Sequence, residues 1–142
     1  MRVRPLTPYD LPAYLALRQA LWPEGGGDPE EVEALLQDPR QAAFVAEEEG
    51  LLRGLVEVSL RPYAEGCETS PGGYLEGLYG LPTFRRRGAA RLLVQEAEAW
   101  ARAQGCQEMA SDAELSNLLG QEVHRHLGYE EVERLVCFRK AL

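Results

Sequence analysis

Residues Gly73 to Ala90 read GYLEGLYGLPTFRRRGAA, and this stretch decides the fold. It opens as an apolar strand, breaks at Leu81-Pro82, and passes through the basic turn Arg85-Arg86-Arg87-Gly88. From Arg87 the spacing predicts a helix running to about Gln104. A strand that ends in a helix N-terminus directs free backbone N–H groups and the positive end of the helix dipole at one spot. The arginines add charge-assisted donors suited to phosphate. The turn therefore predicts a seat for the pyrophosphate of a nucleotide-bearing cofactor.

The 142 residues, 45% of them hydrophobic, fit one ordinary globular domain spanning 1–142. No apolar run is long enough to span a bilayer and the start lacks a secretory pattern, so the expectation is a cytoplasmic protein with no membrane partner. Cys67, Cys106 and Cys137 are odd in number and widely spaced, and neither His124 nor His126 lies close to any of them in sequence. Neither a disulfide framework nor a metal is implied. A net charge of -8 argues against nucleic acid as the main partner. It is compatible with a cationic substrate, and equally with simple solubility.

Outward from the central stretch, Arg2 to Leu6 reads as a first strand. Thr7-Pro8 starts a helix that Leu21-Trp22-Pro23 ends, because proline restricts its predecessor. Asp28-Pro29 caps a second helix with Val32, Leu35 and Leu36 on its apolar face, and Asp38-Pro39 stops it. Ala42 to Glu47 and Leu51 to Arg61 form a hairpin about Glu48-Glu49-Gly50. On the long helix Leu93, Ala97, Trp100 and Ala101 face inward, Glu98 and Arg102 are spaced for an ion pair, and Gly105 closes the element. Gln107 to Ser111 is a strand. Ser111-Asp112-Ala113-Glu114 then matches a capping box for a helix to about Leu127, closed by Gly128. Tyr129 to Val132 and Leu135 to Lys140 read as two last strands. The order β-α-α-β-β-β-α-β-α-β-β is that of a mixed α/β domain.

Arg85-x-x-Gly88-x-Ala90, following a strand and opening a helix within this element order, resembles the GNAT superfamily of acetyl-CoA-dependent N-acyltransferases. Leu21-Trp22-Pro23, Leu75-Glu76-Gly77, Ala110-Ser111-Asp112-Ala113 and His124-x-x-Leu127-Gly128-Tyr129, with Glu133-Arg134 and Phe138, resemble in their order the small aminoglycoside 6'-N-acetyltransferases, enzymes of the antibiotic-resistance type. The resemblance implies a mixed, mostly antiparallel sheet with a splayed central pair of strands, flanked by helices, and acetyl-CoA as co-substrate. It implies a cationic small-molecule amine as acceptor and a homodimer. It places Leu78, Tyr79 and Gly80 on the pantetheine arm and Arg85, Arg86, Arg87, Gly88, Ala89 and Ala90 around the pyrophosphate, with Asn117 also on the cofactor. Trp22, Tyr63, Glu76, Asp112 and Glu133 fall at the acceptor positions.

Aminoglycosides are polyamines at neutral pH, so their pocket needs carboxylates. Glu76 sits between Tyr74 and Leu78 on one face of an apolar strand, where a carboxylate is costly without a partner. Two readings stand: it binds and helps deprotonate an ammonium group, or it pairs with an arginine in the core. Asp112 is a natural helix cap as well as a substrate ligand by resemblance. The reaction asks for a neutral amine, a donor for the developing oxyanion and a departing thiolate. A backbone N–H near Leu78 or Tyr79 is the expected donor, with direct transfer and no acyl-enzyme. Many superfamily members carry a tyrosine acid where this chain has His124. His124 either donates the proton, with Glu76 and Asp112 as acceptors on the amine side, or is structural. Other amines (a polyamine, a small metabolite, a protein N-terminus) and a non-catalytic acyl-CoA-binding module are the alternatives.

Overall fold

A computed structural model describes residues 1–85 and 87–142; Arg86, one of the expected cradle arginines, lies outside the described residues. The elements are β1 (Arg2–Pro5), α1 (Leu11–Leu21), α2 (Pro29–Gln37), β2 (Gln41–Glu48), β3 (Leu51–Arg61), β4 (Gly72–Gly80), α3 (Ala89–Ala103), β5 (Met109–Ser111) and α4 (Leu118–His126). The five strands lie in chain order across one sheet. The first three pairings are antiparallel, and β4 meets β5 in parallel. Glu49 and Gly50 join β2 to β3 with φ of 54° and 76°. That double left-handed pair matches the twist of a two-residue hairpin.

Each face of the sheet carries a core. Val56, Val58 and Leu75 pack against Leu93, Val94 and Ala97 of α3, while Val45 and Leu55 pack against Tyr14 and Leu17 of α1 and Val32 of α2. The second core holds two buried polar side chains. Glu57 on β3 takes Arg18 Nε at 2.6 Å and Tyr14 Oη at 2.5 Å, with Arg18 5% and Glu57 3% exposed. Burial, reinforced by the Glu57 carboxylate, pushes the Tyr14 hydroxyl far above its usual range, so it remains a donor.

Helix boundaries follow local chemistry. Asp28 caps α2 by accepting the Glu30 N–H at 3.0 Å. A 3-10 turn over Pro8–Asp10 precedes α1, and Asp10 accepts the Thr7 N–H at 2.9 Å. Gly105, at φ 93°, ends α3 with the Gly105 and Cys106 N–H groups on the carbonyls of Arg102 and Ala101.

Four expectations are corrected. Helix α3 begins at Ala89, two residues after Arg87, because Gly88 adopts a left-handed φ of 81° that no helix continues. The Glu98–Arg102 pairing gives way to a bond in which Tyr129 Oη donates to Glu98 at 2.7 Å. Helix α4 begins at Leu118, capped by Asn117, and not at Ser111. The two expected C-terminal strands do not form: 129–142 has no regular structure and 130–142 is exposed. A strand exists only where another supplies its hydrogen-bonding partner, and among the described residues none pairs with this segment.

Candidate active site

The site begins with a register shift. Pairing of β3 with β4 runs Glu57–Gly77 and then Val58–Leu75, which leaves Glu76 as the extra residue of a β-bulge. A bulge re-aims the side chain it carries. Hence Leu78 does not share a face with Glu76 as the alternation predicts: it packs with Leu75 against the α3 core. Glu76 turns to the other side, where Ser59 Oγ donates to it at 2.5 Å and Arg61 donates through Nε at 2.9 Å and Nη2 at 2.7 Å. The arginine partner of the second reading is therefore real, but the carboxylate is not enclosed. It borders a cavity of about 430 Å³ with Trp22, Glu31, Asp38 and Ser59.

Arg61 also lies 3.5 Å above the centre of the Tyr74 ring, and the Tyr74 hydroxyl donates to Asp112. Burial, and then the Asp112 carboxylate, raise the Tyr74 hydroxyl well above its ordinary value, so it donates and does not ionise. Glu76, Arg61, Tyr74 and Asp112 thus form one connected set drawn from two strands, β3 and β4, and the segment after β5. Arg61, Tyr74, Asp112, His124 and Glu133 border a second, larger cavity of about 940 Å³. The Arg61–Glu76 ion pair has one partner on each, Glu76 on the first and Arg61 on the second.

Among the remaining acceptor positions, Trp22 follows α1 and its ring covers Gly77, where an added Cβ would meet it at 2.6 Å. Tyr63 is 71% exposed beyond β3. Glu133 lies in the exposed C-terminal segment, not in a turn between strands.

The expected cofactor side is a fork. Parallel pairing of β4 with β5 stops at Leu75–Ser111, and beyond that point the β4 edge is unpaired. The Leu81 N–H donates to Arg53 O at 2.9 Å, on the β3 side. Strand alternation therefore turns the Leu78 N–H, rather than that of Tyr79, toward the fork. The Gly80 carbonyl faces the same way and accepts Arg85 Nε at 2.9 Å. Among the described residues no side chain caps the N-terminus of α3, and N–H groups at such an end suit an anion. Arg87 is engaged elsewhere, with Nη1 and Nη2 on Glu48 at 2.8 and 2.7 Å. The backbone fits a pyrophosphate and an extended pantetheine arm; Arg87 must leave Glu48 to join it. Asn117 Oδ1 accepts the Gly120 N–H at 2.9 Å, and its side-chain amide can still donate to a ligand.

The expected capping box is absent because its side chains are used elsewhere. Asp112 accepts from Tyr74, and Ser111 Oγ lies 2.7 Å from His124 Nε2. His124 Nδ1 is 2.6 Å from the Gly120 carbonyl, so both ring nitrogens have partners. Among the described residues, no group of three or more His, Cys, Asp or Glu could hold a metal, and no helix is long and apolar enough to cross a membrane.

Sequence reasoning missed Ser59, Arg61, Tyr74 and Ser111. Tyr74 was within reach, two residues before Glu76. The other three depend on cross-strand register and on a contact between the end of β5 and α4.

The model of the acetyltransferase (GNAT) family matches residues 11–129. The chain belongs to that family. Within it, this GNAT protein is 43% identical over 137 residues to an aminoglycoside N(6')-acetyltransferase type 1 of Serratia marcescens, covering 94% of each chain. The crystal structure of the aminoglycoside 6'-N-acetyltransferase AAC(6')-Ig from Acinetobacter haemolyticus superposes with a TM-score of 0.95 at 38% identity, covering 100% of this chain and 99% of that one. AAC(6')-Iy in complex with the bisubstrate analogue CoA-S-monomethyl-acetylneamine superposes at 0.94 and 38% identity, over 99% and 98% of the two chains.

Proposed function

We propose that this GNAT acetyltransferase moves the acetyl group of acetyl-CoA directly to the 6'-amino group of an aminoglycoside. The observation that carries the proposal is the bulge that lifts Glu76 out of the β4 alternation and sets it, through Arg61 and Tyr74, in one network with Asp112. A carboxylate held by an arginine and a serine hydroxyl, and still bordering a cavity, can meet an incoming ammonium group. Glu76 and Asp112 bind the polyamine and accept the ammonium proton through water; Trp22, Tyr63 and Glu133 contact its rings and further amines. The Leu78 N–H stabilises the developing oxyanion. Leu78, Tyr79 and Gly80 hold the pantetheine arm, the α3 N-terminus with Arg85, Arg87, Gly88, Ala89 and Ala90 holds the pyrophosphate, and Asn117 adds a donor. His124 handles the proton on the thiol side. The chain is a single domain, 1–142, and works in the cytoplasm, where acetyl-CoA is made.

The enzyme acts as a homodimer. Val132, Leu135, Val136 and Phe138 are 61%, 58%, 80% and 92% exposed, and β5 is a three-residue edge strand. An apolar tail beside an unpaired edge is relieved when a second copy supplies the missing partner. Glu133 lies in that tail and joins an acceptor cleft in the assembled dimer.

Thiol release from acetyl-CoA with kanamycin, tobramycin, spermidine and a peptide panel tests the acceptor. Turnover of the 6'-amino aminoglycosides is the expected outcome. Turnover of peptides or spermidine without them overturns it.

A further inference from the structure

We infer that Ser111, backed by His124, is the proton relay of the transfer step, carrying the proton from the attacking amine to the departing thiol. The inference rests on the acetyl-transfer reading and adds to it a catalytic group outside the capping role that its sequence position suggests.

The direction of the hydrogen bonds follows from what each atom can do. The Gly120 carbonyl can only accept, so His124 Nδ1, 2.6 Å away, carries the ring proton. In the neutral ring Nε2 is then an acceptor, and the group beside it at 2.7 Å is Ser111 Oγ. Ser111 therefore donates to His124. The competing acceptor, the Leu75 carbonyl, is 3.4 Å from Oγ and too far to hold the hydroxyl proton. This is a hydroxyl with a base behind it, its tautomer fixed by a helix carbonyl.

The placement suits the reaction. Ser111 is the last β5 residue paired with β4, so its hydroxyl stands where the strands part. Ser111 and His124 border the same cavity as Tyr74 and Asp112. Tyr74 cannot perform this task, because its proton is committed to Asp112.

The step balances. The neutral amine nitrogen attacks the thioester carbonyl carbon and a C–N bond forms. One N–H proton passes to Ser111 Oγ while the Oγ proton passes to His124 Nε2. The C–S bond then breaks with its electron pair on sulfur, and the proton returns from Nε2 through Oγ to that sulfur. Nitrogen and sulfur share one carbon at that moment, so a single hydroxyl can meet both. Nothing is oxidised or reduced, and Ser111 and His124 end as they began. Ser111 is the catalytic residue; His124 acts through it as a positioning residue.

The experiment uses the full chain in three variants, Ser111→Ala, His124→Gln and the double substitution, with kanamycin and with spermidine as acceptors. General acid–base assistance is worth about 10²–10⁴-fold, so kcat falls at least about 10²-fold with KM for both substrates nearly unchanged. The double variant loses no more than Ser111→Ala, as members of one relay do. A solvent deuterium isotope effect on wild-type kcat disappears in Ser111→Ala. Independently of activity, ring nitrogen NMR of the wild type shows the Nδ1–H tautomer of His124, and its Nε2 signal moves in Ser111→Ala. A kcat within about twofold of wild type in Ser111→Ala, or an Nε2–H ring in the neutral wild type, overturns the relay. A wild type that acetylates spermidine but not kanamycin removes the aminoglycoside reading and leaves the relay to these same measurements.

Discussion

Replacing Glu57 by glutamine tests the buried polar set that underlies the bulge. The carboxylate is 3% exposed and holds Arg18 through Nε at 2.6 Å and Nη2 at 3.2 Å, besides the Tyr14 hydroxyl at 2.5 Å. The amide leaves a guanidinium, itself 5% exposed, with the Gly26 carbonyl at 3.2 Å and Glu31 at 3.3 Å. The Glu31 side chain is 58% exposed and solvent screens much of its charge. Removing one member of a buried pair costs about 3–5 kcal/mol, a large part of the roughly 5–15 kcal/mol that holds a domain together. At roughly 3 °C per kcal/mol for a chain of this size, the midpoint falls by about 9–15 °C. Urea unfolding, with calorimetry alongside, measures both quantities. Glu57 also pairs with Gly77 beside the bulge, so KM for the acceptor rises in parallel. Substituting both partners, Arg18→Met with Glu57→Leu, should recover more than half of the lost stability, since no uncompensated charge remains. A loss below about 1 kcal/mol for Glu57→Gln, with the acceptor KM unmoved, refutes the reasoning.

Four further outcomes follow from the same geometry. On the proposed role of Glu76, Glu76→Gln removes a charge-assisted contact to the ammonium, so kcat/KM for kanamycin drops about 10–100-fold while calorimetric binding of acetyl-CoA is unchanged. Gly88→Ala forces a Cβ onto a residue at φ 81°, which costs about 1–2 kcal/mol and weakens acetyl-CoA binding in the same titration. Asp10 is held down to about 2 from 3.8, first by its bond to Arg4. A carboxylate depressed in the folded state contributes stability that is present above its unfolded value and is lost as pH falls from there through the folded one. Acid titration of unfolding should accordingly be flatter between those values in Asp10→Asn than in wild type. Val136→Lys with Phe138→Lys places charges on the exposed tail of the proposed homodimer, and light scattering should find a monomer for this variant and a dimer for the wild type.

Local chemistry was legible wherever the chain satisfies itself locally. Asp28 caps α2, Pro23 and Pro39 follow helices at their stops, Gly105 ends α3, and the hairpin turns on Glu49-Gly50. Each depends on a backbone torsion or a short-range hydrogen bond. The Ser111–Glu114 capping box failed for the opposite reason. Its side chains found distant partners, Tyr74 and His124, that bind the same oxygens as the helix N–H groups they were expected to cap. The last strands failed because strand propensity is a preference for a pleated surface and supplies no surface of its own.

By itself the sequence determined the alternation of strands and helices up to the last helix, the strand end that leads into a helix N-terminus, and the acidic residues from which an acceptor pocket is drawn. Those depend on spacing and residue type within a few positions. Only the tertiary structure decided what these residues do to one another. The Glu76 bulge arises from pairing with β3, seventeen residues upstream of Glu76 at Ser59 and fifteen at Arg61. The Ser111–His124 contact joins the end of β5 to a side chain of α4 thirteen residues on. Register between strands and contact between elements are set by the balance of the whole core, and no local window contains that balance.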